Sequence, residues 1–161
     1  MDRLWTPWRY RYVSTAGAPG NACIFCAAAA SADDRAHYVV QRAERNFLIL
    51  NLYPYTSGHL MIAPYQHVAT LADAPIETLE EMMRLTARAE KALRGLYKPD
   101  GLNIGMNLGD SAGAGVPGHI HMHALPRWTG DANFMTTVAE TRVLPETIDA
   151  TYERVRAALA V

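Results

Sequence analysis

The chain has 161 residues, of which half are apolar and 19% are charged, an ordinary composition for one globular domain. Its net charge of −1 gives no positive field that would attract nucleic acid or an anionic membrane, so we expect neither as a partner. An anionic ligand must therefore be held by a local site. The N-terminus lacks an apolar signal-peptide core and the longest apolar run, 22–30, has nine residues, so we expect a cytoplasmic protein without a membrane span.

Residues 1–20 form an aromatic and basic extension at the start of the single domain that we expect over 1–161. Trp5, Trp8 and Tyr10 stand among arginines, a pattern that can stack on nucleic-acid bases. Because the chain has no other basic cluster, we favour packing of these aromatic side chains on the domain or on a second subunit.

Cys23 and Cys26 form a C-x-x-C pair in an apolar stretch. Two cysteines supply half of a tetrahedral zinc site, so two ligands from elsewhere would have to complete it. A pair of free thiols is the alternative. The expected cytoplasmic location argues against a disulfide bond between them.

The remaining apolar spacings predict a mixture of helices and strands. In chain order, they are a short helix and loop at 27–36, strands at 38–40, 47–50 and 58–64, a long helix at 73–97, strands at 102–108 and from 118 to Pro126, and a helix at 146–160. The predicted fold class is α+β, with an antiparallel sheet of about five strands on which the long helix and the C-terminal helix pack.

The longest predicted helix, 73–97, has start signals at Asp73 and Pro75. Its apolar stripe passes through Met82, Met83 and Ala89. We therefore expect this helix to pack on the sheet along that stripe and to contribute to the core, not to a ligand site.

Three of the six histidines alternate with apolar residues in the segment G-H-I-H-M-H-A-L-P-R at 118–127. A β-strand would place His119, His121 and His123 on one face, whereas a helix would spread them over about 200°. Such a row fits a solvated strand face, a shared metal site or a site of phosphoryl chemistry. The glycine-rich loop at 113–118 favours phosphoryl chemistry, because glycine lets the backbone approach a phosphate group closely.

This segment resembles the signature of the histidine triad (HIT) superfamily of nucleotide hydrolases and transferases. The segments N-L-Y-P-Y-T-S-G-H-L-M-I-A-P at 51–64 and G-M-N-L-G at 105–109 are similar to the family's nucleoside-binding segment and phosphate-side strand. Further segments at 4–10, 23–26 and 126–134 resemble the bacterial diadenosine tetraphosphate phosphorylase branch. The resemblance implies a HIT-like fold and a homodimer, to which the aromatic N-terminus would contribute.

The resemblance also implies an enzyme that works through a covalent nucleotidyl-histidine. His121 would be the nucleophile, while His119 and His123 would stabilise the phosphate oxygens, and His59 would support the triad by hydrogen bonds. The implied substrate contacts are Asn51 to the ribose, Asn107 to phosphate, Ser111 and the backbone of Gly115 in the glycine-rich loop, and Trp128 and Phe134 beside the nucleotide. Gly115 stands where many relatives have a glutamine, which leaves backbone N–H groups to contact phosphate.

Finally, the resemblance implies a structural zinc ion and a substrate. The zinc ligands would be Cys23, Cys26, His67 and His119, and His119 would then add rigidity in place of a phosphate contact. The substrates would be an adenine dinucleoside polyphosphate and inorganic phosphate, with phosphorolysis of diadenosine tetraphosphate to ADP and ATP as the expected reaction. Hydrolysis that releases AMP, hydrolysis of a purine nucleoside phosphoramidate, a nucleotide sensor and a metallohydrolase are the alternatives.

Overall fold

The computed structural model describes residues 23–132 and 144–160. The N-terminal extension at 1–20, with its expected contact to a second subunit, lies outside the described residues. The same holds for Phe134, which the sequence predicts to lie beside the nucleotide.

Five antiparallel strands form one sheet, and the last of them in sequence lies inside it. The strands are β1 (Val39–Arg42), β2 (Asn46–Leu50), β3 (Leu60–Pro64), β4 (Gly101–Gly105) and β5 (Met122–Arg127), in the spatial order β1-β2-β3-β5-β4. The helices are α1 (Ile24–Ala30), α2 (Ile76–Tyr97) and α3 (Ile148–Leu159), with a short 3₁₀ helix at Asp110–Ala112. This architecture confirms the predicted α+β class with a five-stranded antiparallel sheet.

The long helix α2 and the C-terminal helix α3 cover one face of the sheet. Leu48 and Ile62 of the sheet are buried in one apolar cluster with Leu93 of α2 and Val155 of α3. Burying a large apolar side chain contributes about 1.5–3 kcal/mol, so this cluster is the main source of stability. Ile120, between two histidines of the triad, belongs to the same cluster and fixes the histidines on the opposite face.

The prediction of the apolar face of α2 is wrong at one position. Met83 is 58% exposed, whereas Leu85 is buried beside Met82 and Ala89. Leu85 follows Met82 by three residues and precedes Ala89 by four, which places it on their face of the helix. Met83 is rotated by about 100° from Met82 and therefore points away from the sheet.

The short helix α1 packs on the other face of the sheet, where Phe25 shares an apolar cluster with Phe47 and Met61. Its seven residues carry no basic side chain in the last turn. Arg42 of β1 compensates, because its guanidinium donates to the carbonyl oxygens of Ala28 and Ala29, as well as to that of Ser31, at 2.9, 3.1 and 2.7 Å. These carbonyl groups at a helix end would otherwise lack partners.

Several element boundaries differ from the predictions. Helix α1 begins at Ile24, where the sequence predicted a helix after residue 27, and α2 begins at Ile76 because Thr70 and Asp73 form a hydrogen-bonded turn before it. Strand β5 runs through Pro126 to Arg127, so the prediction that Pro126 ends this strand is wrong. Pairing with β3 reaches only Ala124, so the missing N–H of Pro126 interrupts no ladder on that side.

No helix in the described part of the chain has the length and apolar character needed to cross a lipid bilayer.

Candidate active site

The three triad histidines form a row on the face of the sheet that carries α1. Only His123 belongs to β5, and His119 and His121 lie in the extended segment just before it. The ring centres of His121 and His123 are 4.8 Å apart, and the Phe25 ring of α1 lies 4.8 Å from His121 and 5.1 Å from His119. His121 is therefore held between an aromatic ring and a second imidazole.

The hydrogen bond of His121 defines its tautomer. Nδ1 lies 2.8 Å from the carbonyl oxygen of His119, and a carbonyl oxygen can only accept a hydrogen bond. Nδ1 therefore carries the proton and Nε2 has a lone pair. Burial lowers the pKa of His121, which keeps the ring neutral and Nε2 nucleophilic at neutral pH.

A chain of hydrogen bonds places the proton of His123 on Nε2, whereas that of His121 is on Nδ1. The backbone N–H of Tyr55 donates to Nδ1 of His59 at 3.2 Å, so the proton of His59 is on Nε2. Nε2 of His59 in turn donates to Nδ1 of His123 at 2.9 Å. His123 must then carry its proton on Nε2, which makes this nitrogen a hydrogen-bond donor. Burial, with a smaller contribution from His121, lowers the pKa of His123 to about 4.

A cavity of about 900 Å³ adjoins the triad at His123. Two further residues that the sequence predicts as substrate contacts, Asn107 and Trp128, line the same cavity. His121 is only 4% exposed and is not part of the lining, but its ring neighbours that of His123. The cavity therefore brings a neutral donor, an amide and an indole together next to the expected nucleophile.

Three other predicted substrate contacts in the described part of the chain do not line this cavity. The side chain of Asn51 accepts the backbone N–H of Tyr53 at 2.9 Å and contacts Nδ1 of His59 at 3.3 Å, which is the arrangement of a turn-capping residue. Ser111 is exposed in the 3₁₀ helix, and Gly115 is half-buried in the loop that follows. None of these three residues is part of the cavity lining in the described part of the chain.

Two cysteines and two histidines converge behind the triad. The potential ligand atoms of Cys23, Cys26, His67 and His119 all lie within 4.8 Å of one another. Nδ1 of His119 is 3.3 Å from Sγ of Cys23, and Nδ1 of His67 is 3.2 Å from Sγ of Cys26. Such separations suit the edges of a tetrahedron with Zn–S bonds of about 2.3 Å and Zn–N bonds of about 2.0 Å. The donor set therefore fits a structural zinc ion.

His119 is oriented toward this cluster by the backbone. Its Nε2 lies 2.9 Å from the carbonyl oxygen of Pro64 and therefore carries the proton, so that Nδ1 presents a lone pair to the thiols. Both ring nitrogens thus have partners within the protein, and the side chain is fully buried. In this arrangement His119 has no nitrogen with which to contact a phosphate group, in contrast to one of its two expected roles.

Several side chains at the site were not identified from the sequence. Phe25 packs on His121, and Arg42 anchors the helix that carries Cys26. Glu146 and Arg154 line the cavity from the C-terminal part of the chain. The C-x-x-C motif gave a local indication for Phe25, which lies within it, whereas no sequence pattern connects α3 to the triad.

Residues 34–130, more than half of the chain, match the family model described as HIT domain. The chain belongs to the HIT family. The AP-4-A phosphorylase of Mycobacterium tuberculosis (strain H37Rv) is 37% identical over 152 residues, which cover 91% of this chain and 78% of that protein. The chain is therefore a nucleotide-processing HIT enzyme whose sequence resembles the AP-4-A phosphorylase branch.

Solved structures of HIT proteins share the fold. A zinc-bound histidine triad family protein from Mycobacterium smegmatis is 33% identical, with a TM-score of 0.70 over 86% of this chain and 94% of that chain. A hypothetical histidine triad nucleotide-binding protein from Sulfolobus tokodaii strain7 is 27% identical, with a TM-score of 0.68 over 86% of this chain and 92% of that chain. These similarities confirm the predicted HIT-like fold.

Proposed function

We propose that this HIT enzyme transfers an adenylyl group from diadenosine tetraphosphate to inorganic phosphate through His121, giving ATP and ADP. The observation that carries the proposal is the hydrogen bond from Nδ1 of His121 to the His119 carbonyl oxygen, which leaves the Nε2 lone pair for attack on phosphorus. The similarity to the AP-4-A phosphorylase of Mycobacterium tuberculosis supports the choice of substrate and acceptor.

In the first half-reaction, Nε2 of His121 forms a bond to the α-phosphorus. The bond from this phosphorus to the bridging oxygen breaks, and its electron pair leaves with ATP. The imidazole becomes cationic while the N–P bond lasts, and the hydrogen bond from Nδ1 to the His119 carbonyl oxygen stabilises that charge. No proton has to be delivered to the leaving group, because a phosphate anhydride oxygen is a weak base.

The donors beside the nucleophile stabilise the charge on the phosphate oxygens. His123, which carries its proton on Nε2, and Asn107, which has a side-chain amide, line the cavity in which the phosphate groups would bind. A donor of the oxyanion-hole type is worth about 2.7–4 kcal/mol of barrier. The low pKa of His123 favours this role, because the ring stays neutral and keeps a single, oriented proton.

In the second half-reaction, an oxygen of inorganic phosphate attacks the α-phosphorus of the adenylyl group. The N–P bond breaks, its electron pair returns to Nε2 of His121, and ADP leaves. Water in the same position would give AMP. The neutral ring and its Nδ1–H hydrogen bond are thereby restored for the next turnover.

We propose that Cys23, Cys26, His67 and His119 hold a structural zinc ion. Four protein ligands leave no open coordination position, so the ion would fix ligand geometry and take no part in bond making. His119 and His121 are two residues apart, so anchoring His119 also anchors the carbonyl group that orients the nucleophile.

Product analysis tests the proposed reaction. The purified protein is incubated with diadenosine tetraphosphate, with and without inorganic phosphate, and the nucleotides are separated by ion-exchange chromatography. We expect repeated turnover to equimolar ADP and ATP only when phosphate is present, and without phosphate at most one ATP for each enzyme molecule. AMP formed in the presence of phosphate would identify a hydrolase, and no turnover would favour the phosphoramidate or sensor alternatives.

A trapping experiment tests the covalent step separately. The protein is mixed with α-³²P-labelled substrate without phosphate, denatured at alkaline pH, where a phosphoramidate bond survives, and separated by electrophoresis. We expect label on the wild-type chain and on His37→Gln, a matched control at a histidine outside the triad, but none on His121→Gln. Label on His121→Gln would exclude His121 as the nucleophile.

A further inference from the structure

The row of the triad continues along β5 beyond the histidines. Alternate residues of a strand share a face, so Leu125 and Arg127 extend the row of His123, and both line the cavity. At about 3.3 Å per residue, Arg127 lies about 13 Å along the strand from His123. The cavity is therefore long enough to extend well past the position at which one phosphate group would react.

The far part of the cavity is bounded by residues outside the HIT match, which ends at residue 130. The carboxylate of Glu146 accepts hydrogen bonds from the hydroxyl groups of Tyr97 and Thr151 at 2.6 and 2.8 Å, and it pairs with the guanidinium of Arg154 on α3. The guanidinium carbon of Arg154 lies 4.9 Å from the centre of the Tyr97 ring. Arg154 is thus fixed in place by an anion and an aromatic face.

Among the described residues, two arginines line the cavity, and they differ in how many of their N–H groups already have a hydrogen-bond acceptor. Arg127 donates from all three of its nitrogens, to Asp131 and Asn103. For Arg154, the described residues provide one acceptor, Glu146, although a guanidinium has five N–H groups. The Arg154 side chain is 47% exposed, so the remaining donors can reach a ligand in the cavity.

Aromatic side chains in the wall of the cavity also suit a nucleotide. The ring of Trp128 packs edge-on against that of Tyr97, with centres 6.3 Å apart, which adds aromatic surface to the same wall. Aromatic rings beside a guanidinium can stack a base, while the arginine can bind ribose or phosphate oxygens.

We propose that the cavity beyond His123 binds the leaving nucleotide of a dinucleoside polyphosphate, and that Arg154 determines the preference for such a substrate over one with a small leaving group. This inference rests on the proposed function, because it assigns the second half of the same substrate. It makes α3, which lies outside the family match, a part of substrate selection.

The test compares two substrates in matched variants. Values of kcat/KM are measured for diadenosine tetraphosphate and for adenosine 5′-phosphoramidate, whose leaving group is ammonia, in wild type, Arg154→Gln and Arg156→Gln. Arg156 lies on the same helix but contacts Tyr152, so its replacement is the matched control. We expect kcat/KM for diadenosine tetraphosphate divided by that for the phosphoramidate to fall by about tenfold in Arg154→Gln, because one charge-assisted hydrogen bond is lost. In Arg156→Gln the ratio should stay within twofold of wild type. An equal ratio in all three proteins would overturn the inference.

A binding measurement separates this inference from the proposed reaction. Dissociation constants for AMP and for diadenosine tetraphosphate are determined calorimetrically in the His121→Gln background, so that no turnover is needed. We expect Arg154→Gln to weaken binding of the dinucleotide by about tenfold more than binding of AMP. The effect of Arg154→Lys should lie between those of wild type and Arg154→Gln. A parallel loss for both ligands would overturn the inference even if the enzyme is a phosphorylase. A selective loss would support it even if the wild type releases AMP.

Discussion

The two ends of the triad carry the same side chain in opposite settings. His119 is fully buried, with one ring nitrogen on the Pro64 carbonyl oxygen and the other facing two thiols. His123 lines the cavity, and within the described residues its hydrogen-bond partner is His59, at Nδ1. The sequence treats both as members of one alternating row. Their different partners place the first beside a potential metal site and the second in the wall of the cavity.

The difference shows that the partner of one ring nitrogen decides what the other can do. A carbonyl oxygen at Nε2 leaves His119 a lone pair on Nδ1 for a metal ion, and a carbonyl oxygen at Nδ1 leaves His121 a lone pair on Nε2 for phosphorus. A histidine at Nδ1 leaves His123 a proton on Nε2. Backbone and side-chain contacts around the triad therefore give three identical residues three different hydrogen-bond arrangements.

The largest expected effect is at His121, between the two ends. We expect His121→Gln to lower kcat for diadenosine tetraphosphate phosphorolysis by about a thousandfold or more, because the neighbouring donors cannot replace a nucleophile. His37→Gln is the matched control and should retain the wild-type rate. Steady-state kinetics and circular dichroism on both variants make the measurement, and a folded His121→Gln enzyme with substantial activity would contradict the assignment.

At the His119 end, we expect metal removal to act on stability. If zinc is present at about a thousand times its dissociation constant, binding stabilises the fold by about 4 kcal/mol, and its removal by a chelator should lower Tm by about 8–16 °C. Thermal unfolding with and without chelator measures this shift. Cys26→Ser should show a lower Tm and no further response to the chelator. If the chelator leaves the Tm of the zinc-loaded wild type unchanged, a structural zinc ion is excluded.

At the His123 end, we expect a change in rate with little change in stability. His59→Phe removes the donor to Nδ1 of His123, so the proton of His123 is no longer confined to Nε2. Loss of such a supporting contact should lower kcat by about tenfold, with a smaller effect on KM. Kinetics and Tm are measured on the same preparation. A lower Tm with unchanged kcat would mean that His59 serves only the fold.

The smallest expected effect is on the pH dependence of folding stability, and it concerns the His123 end of the triad. The pKa of His123 is about 4 in the folded protein against 6.5 for the unperturbed side chain, so the unfolded state binds more protons between these values. The contribution of His123 to stability is complete above pH 6.5 and is lost as the pH falls toward 4. Urea unfolding at pH 5 and pH 7.5 should show a smaller pH dependence for His123→Gln than for wild type. An equal pH dependence of stability in the two proteins would contradict a low pKa for His123 in the folded state.

The sequence predicted those features that depend on local periodicity. The alternation of histidines with Ile120 and Met122 placed three imidazoles on one face, and Pro64 marked the end of β3. The four proposed zinc-ligand positions followed from the family resemblance, and the structure brings their potential ligand atoms within 4.8 Å of one another. The α+β class followed from the order of the elements.

The features that the sequence did not predict depend on contacts between distant segments. The family resemblance implied that His59 supports the triad, but that its partner is His123, 64 residues away, follows only from the pairing of β3 with β5. Arg42 reaches the end of α1 because β1 passes beside it, and no pattern within α1 indicates this contact. Asn51, for which the resemblance implied a ribose contact, accepts a hydrogen bond from the N–H of Tyr53, a local contact that fits a turn cap.

The insertion of β5 between β3 and β4 also has a consequence for the order of assembly. During synthesis, β3 and β4 are complete while the strand that separates them is still missing, so both present unpaired edges. The nascent chain can therefore neither complete its sheet nor position His123 until residue 127 has left the ribosome. We expect this interval to be the period in which the chain is most prone to aggregate and most dependent on chaperones.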